Sequence, residues 1–331
     1  MAYTAINDPE AYFQVQLYTG NGSANHAITL GGDTNMQPDL VWIKNRDTTD
    51  AHCLFDAVRG ATKVLHVTTA AESTDADTLD SFTSDGFQVD ADVKVNTNAE
   101  KYVAWCWKES ATSGVDVITY TGSGSAETIA HSLSAAPTFL IIKSKDGVRA
   151  WAVGHASITF AKFLELNVAT TVLTATNRFN DTAPTSSVFS IGADSGTTNT
   201  ADSPSENYIA YCFADVQGFS KFGSYVGHGN ADGSFVFLGF RPAFVMIKGT
   251  GGTTNWHMYD DQRLGYNIDN NSQRANLETA DQTDDDIDLF SNGFKIKRNT
   301  SALNTSGGTY VYAAFAKAPF VNSNGVPCNA K

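Results

Sequence analysis

The sequence predicts a mainly β protein built from three tandem homologous β-sandwich units, jelly-roll or lectin-like, closing into a compact pseudo-threefold body. Three marks predict it. A Y-x-G-x-G run stands at 18–22, 120–124 and 225–229, a P-x-[LF]-[VL]-x-I-K run begins at Pro38, Pro137 and Pro242, and an aromatic run begins at Tyr102, Tyr208 and Tyr310. All three recur in the same order at about a hundred residues, the size of one domain. On this period the chain divides into an N-terminal docking arm (1–14), three sandwiches (15–112, 113–218 and 219–319) and a C-terminal tail (320–331).

Each mark has a physical reading. The glycines of YTGNG, YTGSG and YVGHG suit a strand end, a tight turn and the start of the next strand, because glycine takes positive φ without penalty. A phosphate cradle would need a helix to follow; SANHAITL and SAETIAHSL have no helical period and no lysine, so no cofactor is expected. The P-x-[LF]-[VL]-x-I-K runs are short, β-branched and apolar on both faces, with proline at the start, where no ladder bond is lost. They read as central strands. In the YVAWCWKE and YIAYCFAD runs large residues alternate with small ones, which predicts a strand with a deep core on one face and a close neighbour on the other. FTSDGFQV (82–89) and LFSNGFKI (289–296) match each other, with TSSVFSIG (185–192) as the diverged counterpart. The one candidate for a helix, HCLFDAVRGATKVL (52–65), is short and carries an internal glycine.

Composition narrows the function. With 42% hydrophobic and 17% charged residues the 331-residue chain should fold, and its net charge of −13 argues against nucleic acid as a partner. No basic, apolar leader and no run of 18 apolar residues appears, so neither a standard secretion signal nor membrane insertion is expected. Cys53, Cys106, Cys212 and Cys328 lie far apart and without metal spacing, which predicts free thiols, with Cys106 and Cys212 buried at equivalent places.

Few residues suggest chemistry. Asp56 with Arg59, and Asp260 with Arg263, repeat an aspartate three residues before an arginine. The plainer expectation is a salt bridge bracing a surface turn; the functional one is a polar clamp for a sugar. Trp151 and Trp256 occupy equivalent places and are either sugar-stacking or core aromatics. These six are the candidate glycan contacts. Asp284, Asp285, Asp286 and Asp288 lack the EF-hand glycine and closing glutamate and read as a solvated acidic loop, and the seven histidines show no metal spacing, so neither a metal nor a catalytic residue is expected.

The run YTGNG, QPDLVWIKNRD, FDAVRGATK, TSDGF, YVAWCWK and YVYAAFAKAPFVNSNGVPCNAK resembles a family of tail-fibre-like virion proteins of bacteriophages, marine and cyanobacterial ones in particular, through nearly the whole chain. The resemblance implies a non-enzymatic structural protein of a tail or particle-surface appendage, made in the host cytoplasm and carried on the virion. Its partners would be other virion proteins and host-surface glycan. Alternatives are a capsid decoration or head-fibre protein whose N-terminal arm docks on a neighbour by strand addition, and a glycan depolymerase.

Overall fold

The computed structural model describes residues 3–194, 196–200, 205–263, 271–284 and 286–328. The chain is mainly β, 43% strand and 3% helix, in several antiparallel sheets. The first third carries β1 (Phe13–Thr19), β2 (His26–Thr29), β3 (Leu40–Asn45), β4 (Cys53–Asp56), β5 (Lys63–His66), β6 (Ser73–Thr74), β7 (Leu79–Thr83), β8 (Gly86–Val89) and β9 (Lys101–Trp107). In the second third follow β10 (Val115–Thr121), β11 (Glu127–Ala130), β12 (Phe139–Ser144), β13 (Ala152–His155), β14 (Lys162–Glu165), β15 (Leu173–Thr174), β16 (Val188–Ile191) and β17 (Asn207–Phe213). The last third has β18 (Ser220–Val226), β19 (Phe235–Phe237), β20 (Phe240–Gly249), β21 (His257–Asp260), β22 (Asn271–Arg274), β23 (Gln282–Thr283), β24 (Ile287–Phe290), β25 (Gly293–Ile296) and β26 (Thr309–Pro319).

Three six-stranded sheets share one connectivity: β1-β9-β3-β4-β5-β6, β10-β17-β12-β13-β14-β15 and β18-β26-β20-β21-β22-β23. Smaller sheets accompany them, β2-β8-β7, β11-β16 and β19-β25-β24. The proline runs form β3, β12 and β20, each paired with the aromatic strand of its own third. Both faces of these strands are buried. Val41 and Ile43 join a cluster with Ile28 and Phe87 of the small sheet, whereas Leu40 and Trp42 face a second cluster shared by all three thirds. Pro38 and Pro137 precede their strands, but Pro242 lies inside β20 at a register shift, a bulge being where a strand tolerates a missing N–H. Residues 52–65 are not helical; they form β4, a turn at the Asp56–Arg59 pair and β5.

The glycine turns wrap a buried asparagine. Asn96 Oδ1 accepts from the Asn21 amide (2.8 Å), Asn199 Oδ1 from Ser123 (2.7 Å) and Asn304 Oδ1 from His228 (2.8 Å). Beside each turn a tyrosine pair stacks, Tyr18 on Tyr102, Tyr120 on Tyr208 and Tyr225 on Tyr310, at 5.0–5.1 Å and 13–14°. The following threonine amide, of Thr97, Thr200 or Thr305, donates to the second tyrosine's hydroxyl. A Cβ at Gly20 would lie 2.1 Å from Thr97 O, so close approach of two backbones demands glycine there.

The N-terminal segment packs against the rest of the chain. Ala5 N donates to Gln217 O, Thr4 and Ile6 are buried, and Asn7 pairs with Ser323, so residues 4–7 tie the start of the chain to the turn after β17 and to the segment after β26, and Phe13 already belongs to β1. Cys53, Cys106 and Cys212 are buried free thiols and Cys328 is half-buried. No helix among the described residues is long and apolar enough to cross a membrane.

Candidate functional site

The contacts between thirds decide which side chains remain available. One contact is made three times by equivalent residues: Asp281 N donates to Arg46 O (2.8 Å), Glu72 N to Lys145 O (2.8 Å) and Val172 N to Thr250 O (3.1 Å). A second uses the residue just before β4, β13 and β21. His52 Nε2 donates to Arg274 O (3.0 Å), Trp151 Nε1 to His66 O (3.1 Å) and Trp256 Nε1 to Glu165 O (2.8 Å). His66, Glu165 and Arg274 end β5, β14 and β22 respectively, so the acceptors are equivalent as well. The direction is cyclic: first third to last, second to first, last to second.

A third contact is kept twice and altered once. Tyr211 OH donates to Asp56 Oδ2 (2.8 Å) and Trp105 Nε1 to Asp260 Oδ2 (3.1 Å). His155 stands where those aspartates do, and its Nε2 donates to the Tyr312 carbonyl (3.3 Å). Asp56 and Asp260 each also bind their arginine, Arg59 Nε at 2.5 Å and Arg263 Nε at 2.7 Å, with every one of these four side chains at most 1% exposed. Asp56–Arg59 and Asp260–Arg263 form the local salt bridges expected from sequence, buried rather than at the surface, and Trp151 and Trp256 are core aromatics; all six side chains are bound to protein groups. Burial of this kind leaves no face for a glycan.

Other titratable groups are likewise enclosed. Lys44, Lys143 and Lys248, the lysines of the three proline runs, are fully buried, and burial pulls each pKa down to about 8. Their ammonium groups donate to backbone carbonyls, among them Asn45 O for Lys44, Arg149 O for Lys143 and Thr254 O for Lys248. Of the acidic run, Asp284 pairs with Arg274, Asp286 accepts from Tyr259 OH (2.8 Å) and Asp288 pairs with Lys297 (3.3 Å), which corrects the solvated loop; Asp285 lies outside the described residues. No group of three or more His, Cys, Asp or Glu that could hold a metal occurs among the described residues.

An open groove of about 540 Å³ lies instead between the N-terminal segment, the turn after β17 and the outer sheet of the last third. Tyr3 and Phe237 flank it, 61% and 55% exposed. The Lys221 ammonium sits 5.6 Å from the Phe237 ring centroid and donates to Phe237 O (2.7 Å). Asp215 and Gln217 add polar lining; Asp215 accepts from the Phe222 amide (2.8 Å), and burial outweighs that bond to raise its carboxyl pKa. Phe235 and Phe290 extend the aromatic surface along the same sheet, their rings 5.9 Å apart.

This face belongs to the last third alone. Strand pairing matches Phe235 and Phe237 with Ala27 and Thr29 of β2, and with Thr128 and Ala130 of β11. Equivalent outer strands thus show small or polar residues where β19 shows two phenylalanines. Flat apolar rings beside polar donors can stack on and hydrogen-bond a sugar ring. Sequence reasoning missed Tyr3, Phe235, Phe237 and Phe290; setting FVF against HAIT and ETIA would have found the β19 pair, but the segment between glycine turn and proline run is too variable to align without the pairing.

A family model described as a domain of unknown function (DUF7483) matches residues 8–319. No curated protein and no solved structure matches the chain.

Proposed function

The chain belongs to the DUF7483 family, and we propose that it is a non-enzymatic structural protein of a bacteriophage particle that attaches to host-surface glycan through the aromatic groove of its last third. In this reading residues 15–112, 113–218 and 219–319 are three copies of one β-sandwich around a pseudo-threefold axis. The recurrence of two intersheet contacts in cyclic order supports that arrangement, since a heterologous contact repeated by similar surfaces closes a ring. Rigidity suits the role, because a groove on a body without swinging units loses little entropy on binding.

The carrying observation is the outward placement of Phe235 and Phe237 where the equivalent strands have small or polar residues. Exposed aromatics cost solubility, and a contiguous patch of them marks an interaction site. Whole-cell adsorption and a glycan array test the reading, with Phe237→Ala beside the wild type. Binding at micromolar protein that falls at least tenfold in the variant is expected; no binding by the wild type overturns it.

One observation favours the alternative of a decoration protein. An opening of about 490 Å³ is lined by Thr68, Asn167 and Asn276, equivalent residues of the three thirds, which suits a threefold feature of a capsid or tail. Microscopy of particles would separate the two: density over a threefold capsid position favours decoration, density at the tail favours attachment.

A further inference from the structure

The noncovalent seam of the cyclic contacts, between first and last thirds, holds a cleft that the aromatic groove does not involve. It has a volume of about 210 Å³ and is lined by Glu10, Gln14, Gln16, Asp261, Gln262 and Lys317. Asp261 is 4% exposed, and its two carboxylate oxygens differ. Oδ1 accepts from Gln262 Nε2 (3.0 Å), whereas Oδ2 has no hydrogen-bond partner among the described residues; the nearest cation, Arg241 Nη2, is 4.0 Å away. A buried acceptor left unmatched is destabilising, so such atoms mark places where a donor arrives from outside.

The position is specific to this seam. Asp260 and Asp261 correspond to Asp56 and Ala57 in the first third and to His155 and Ala156 in the second. Two of three equivalent turns therefore manage with alanine. Glu10 pairs with Lys317, and Arg241 Nη2 lies 4.0 Å from Asp261 Oδ2, so each charge at the cleft has an opposite one nearby and no uncompensated cation is offered to an anion. Burial also raises the Asp261 carboxyl pKa, which disfavours holding a bare anion without a donor. Val15 and Leu17 add an apolar wall. At this volume, below that of a drug-sized pocket, one small ring fits and a chain does not.

We propose that this cleft binds a single neutral polyhydroxyl ring, of the size of a monosaccharide, with one hydroxyl donating to Asp261 Oδ2. Hydroxyls supply the donor without adding charge, and the ring's C–H face lies against Val15 and Leu17. The site is independent of the aromatic groove, so either can fail alone.

Saturation-transfer NMR of the full chain with a panel of neutral monosaccharides tests it. At least one sugar should bind with a millimolar Kd, roughly 4 kcal/mol of binding free energy. Asp261→Ala should weaken it tenfold or more, Phe237→Ala should leave it unchanged, and a crystal soaked in that sugar should place it on Asp261. Alanine at the equivalent turns indicates that the variant folds. No binding by the wild type, equal binding by Asp261→Ala, or sugar located elsewhere in the soaked crystal overturns the proposal.

Discussion

Tyr211 and Asp56 lie 155 residues apart, in different thirds, and their hydrogen bond gives a direct reading of whether the thirds close on each other in solution. Asp56 collects three donors: Arg59 Nε at 2.5 Å, the Arg59 amide at 2.9 Å and Tyr211 OH at 2.8 Å. Asp56→Ala removes all three. Arg59 keeps Glu72 at 3.2 Å and the carbonyls of Leu54 and Lys63, so its charge is not stranded outright, and the cost belongs at the low end for a broken buried pair, about 3 kcal/mol. Tyr211→Phe removes the hydrogen bond to Asp56 and a longer one from Arg59 Nη2 (3.4 Å), about 1.5–2 kcal/mol together. In the Asp56→Ala background the hydroxyl keeps only the longer bond from Arg59 Nη2, so the same change costs much less. The double-mutant cycle should therefore give a coupling of about 1.5 kcal/mol, read from urea midpoints at constant slope. Additivity within about 0.5 kcal/mol, or separate transitions for separate thirds, would refute the cyclic packing.

Gly20→Ala should cost more than Gly60→Ala: the first Cβ meets Thr97 O at 2.1 Å, the second has positive φ but open space, where about 1 kcal/mol is expected; equal thermal shifts would contradict this. Native thiol labelling should modify Cys328 well before Cys53, Cys106 or Cys212, and Cys106→Ala should cost little, since Ala314 stands at the equivalent position; rapid labelling of a buried thiol tells against the core assignment. Acid should destabilise the protein below about pH 6.5. Burial holds His52, His155 and His257 neutral, with pKa values lowered to about 3, 4 and 3, while in the unfolded chain they take protons near 6.5. The unfolded state then binds more protons between about 6.5 and 4, and stability falls as pH falls through that window, by up to about 1.4 kcal/mol per unit per histidine. Glu109, pushed up to about 7 by burial and by Asp116, acts in the opposite sense, as do Asp39, Asp215, Asp261 and Asp286 toward the acid end, where burial raises their carboxyls; His66, lowered by burial, adds to the other histidines. Urea midpoints that rise steadily from pH 6.5 to 4.5 would refute this.

The strands were legible because their signals are local. Proline at a strand start, glycine at a turn and alternation along YVAWCWKE each need only a few neighbouring residues, and their recurrence made accident untenable. Pro242 departs from that pattern because β20 runs back to Phe240 through a bulge, which a motif of seven residues cannot foretell. Asn96, Asn199 and Asn304 recur in N-T pairs at the same period and went unread, since a single polar residue before a strand carries no sign of burial until the glycine turn closes around it.

Taken by itself, the sequence determined the β class, the period of about a hundred residues, the glycine turns, and thiols free of bridges. Only the tertiary structure decided which faces survive at the surface. Asp56, Arg59, Asp260 and Arg263 look like surface residues by type, and the contacts between thirds bury them; Phe235 and Phe237 look like core residues by type, and β19 turns them outward. The physical reason is range. Backbone preference and side-chain alternation act over a few residues, whereas burial is fixed by which sheet arrives from a hundred or more residues away.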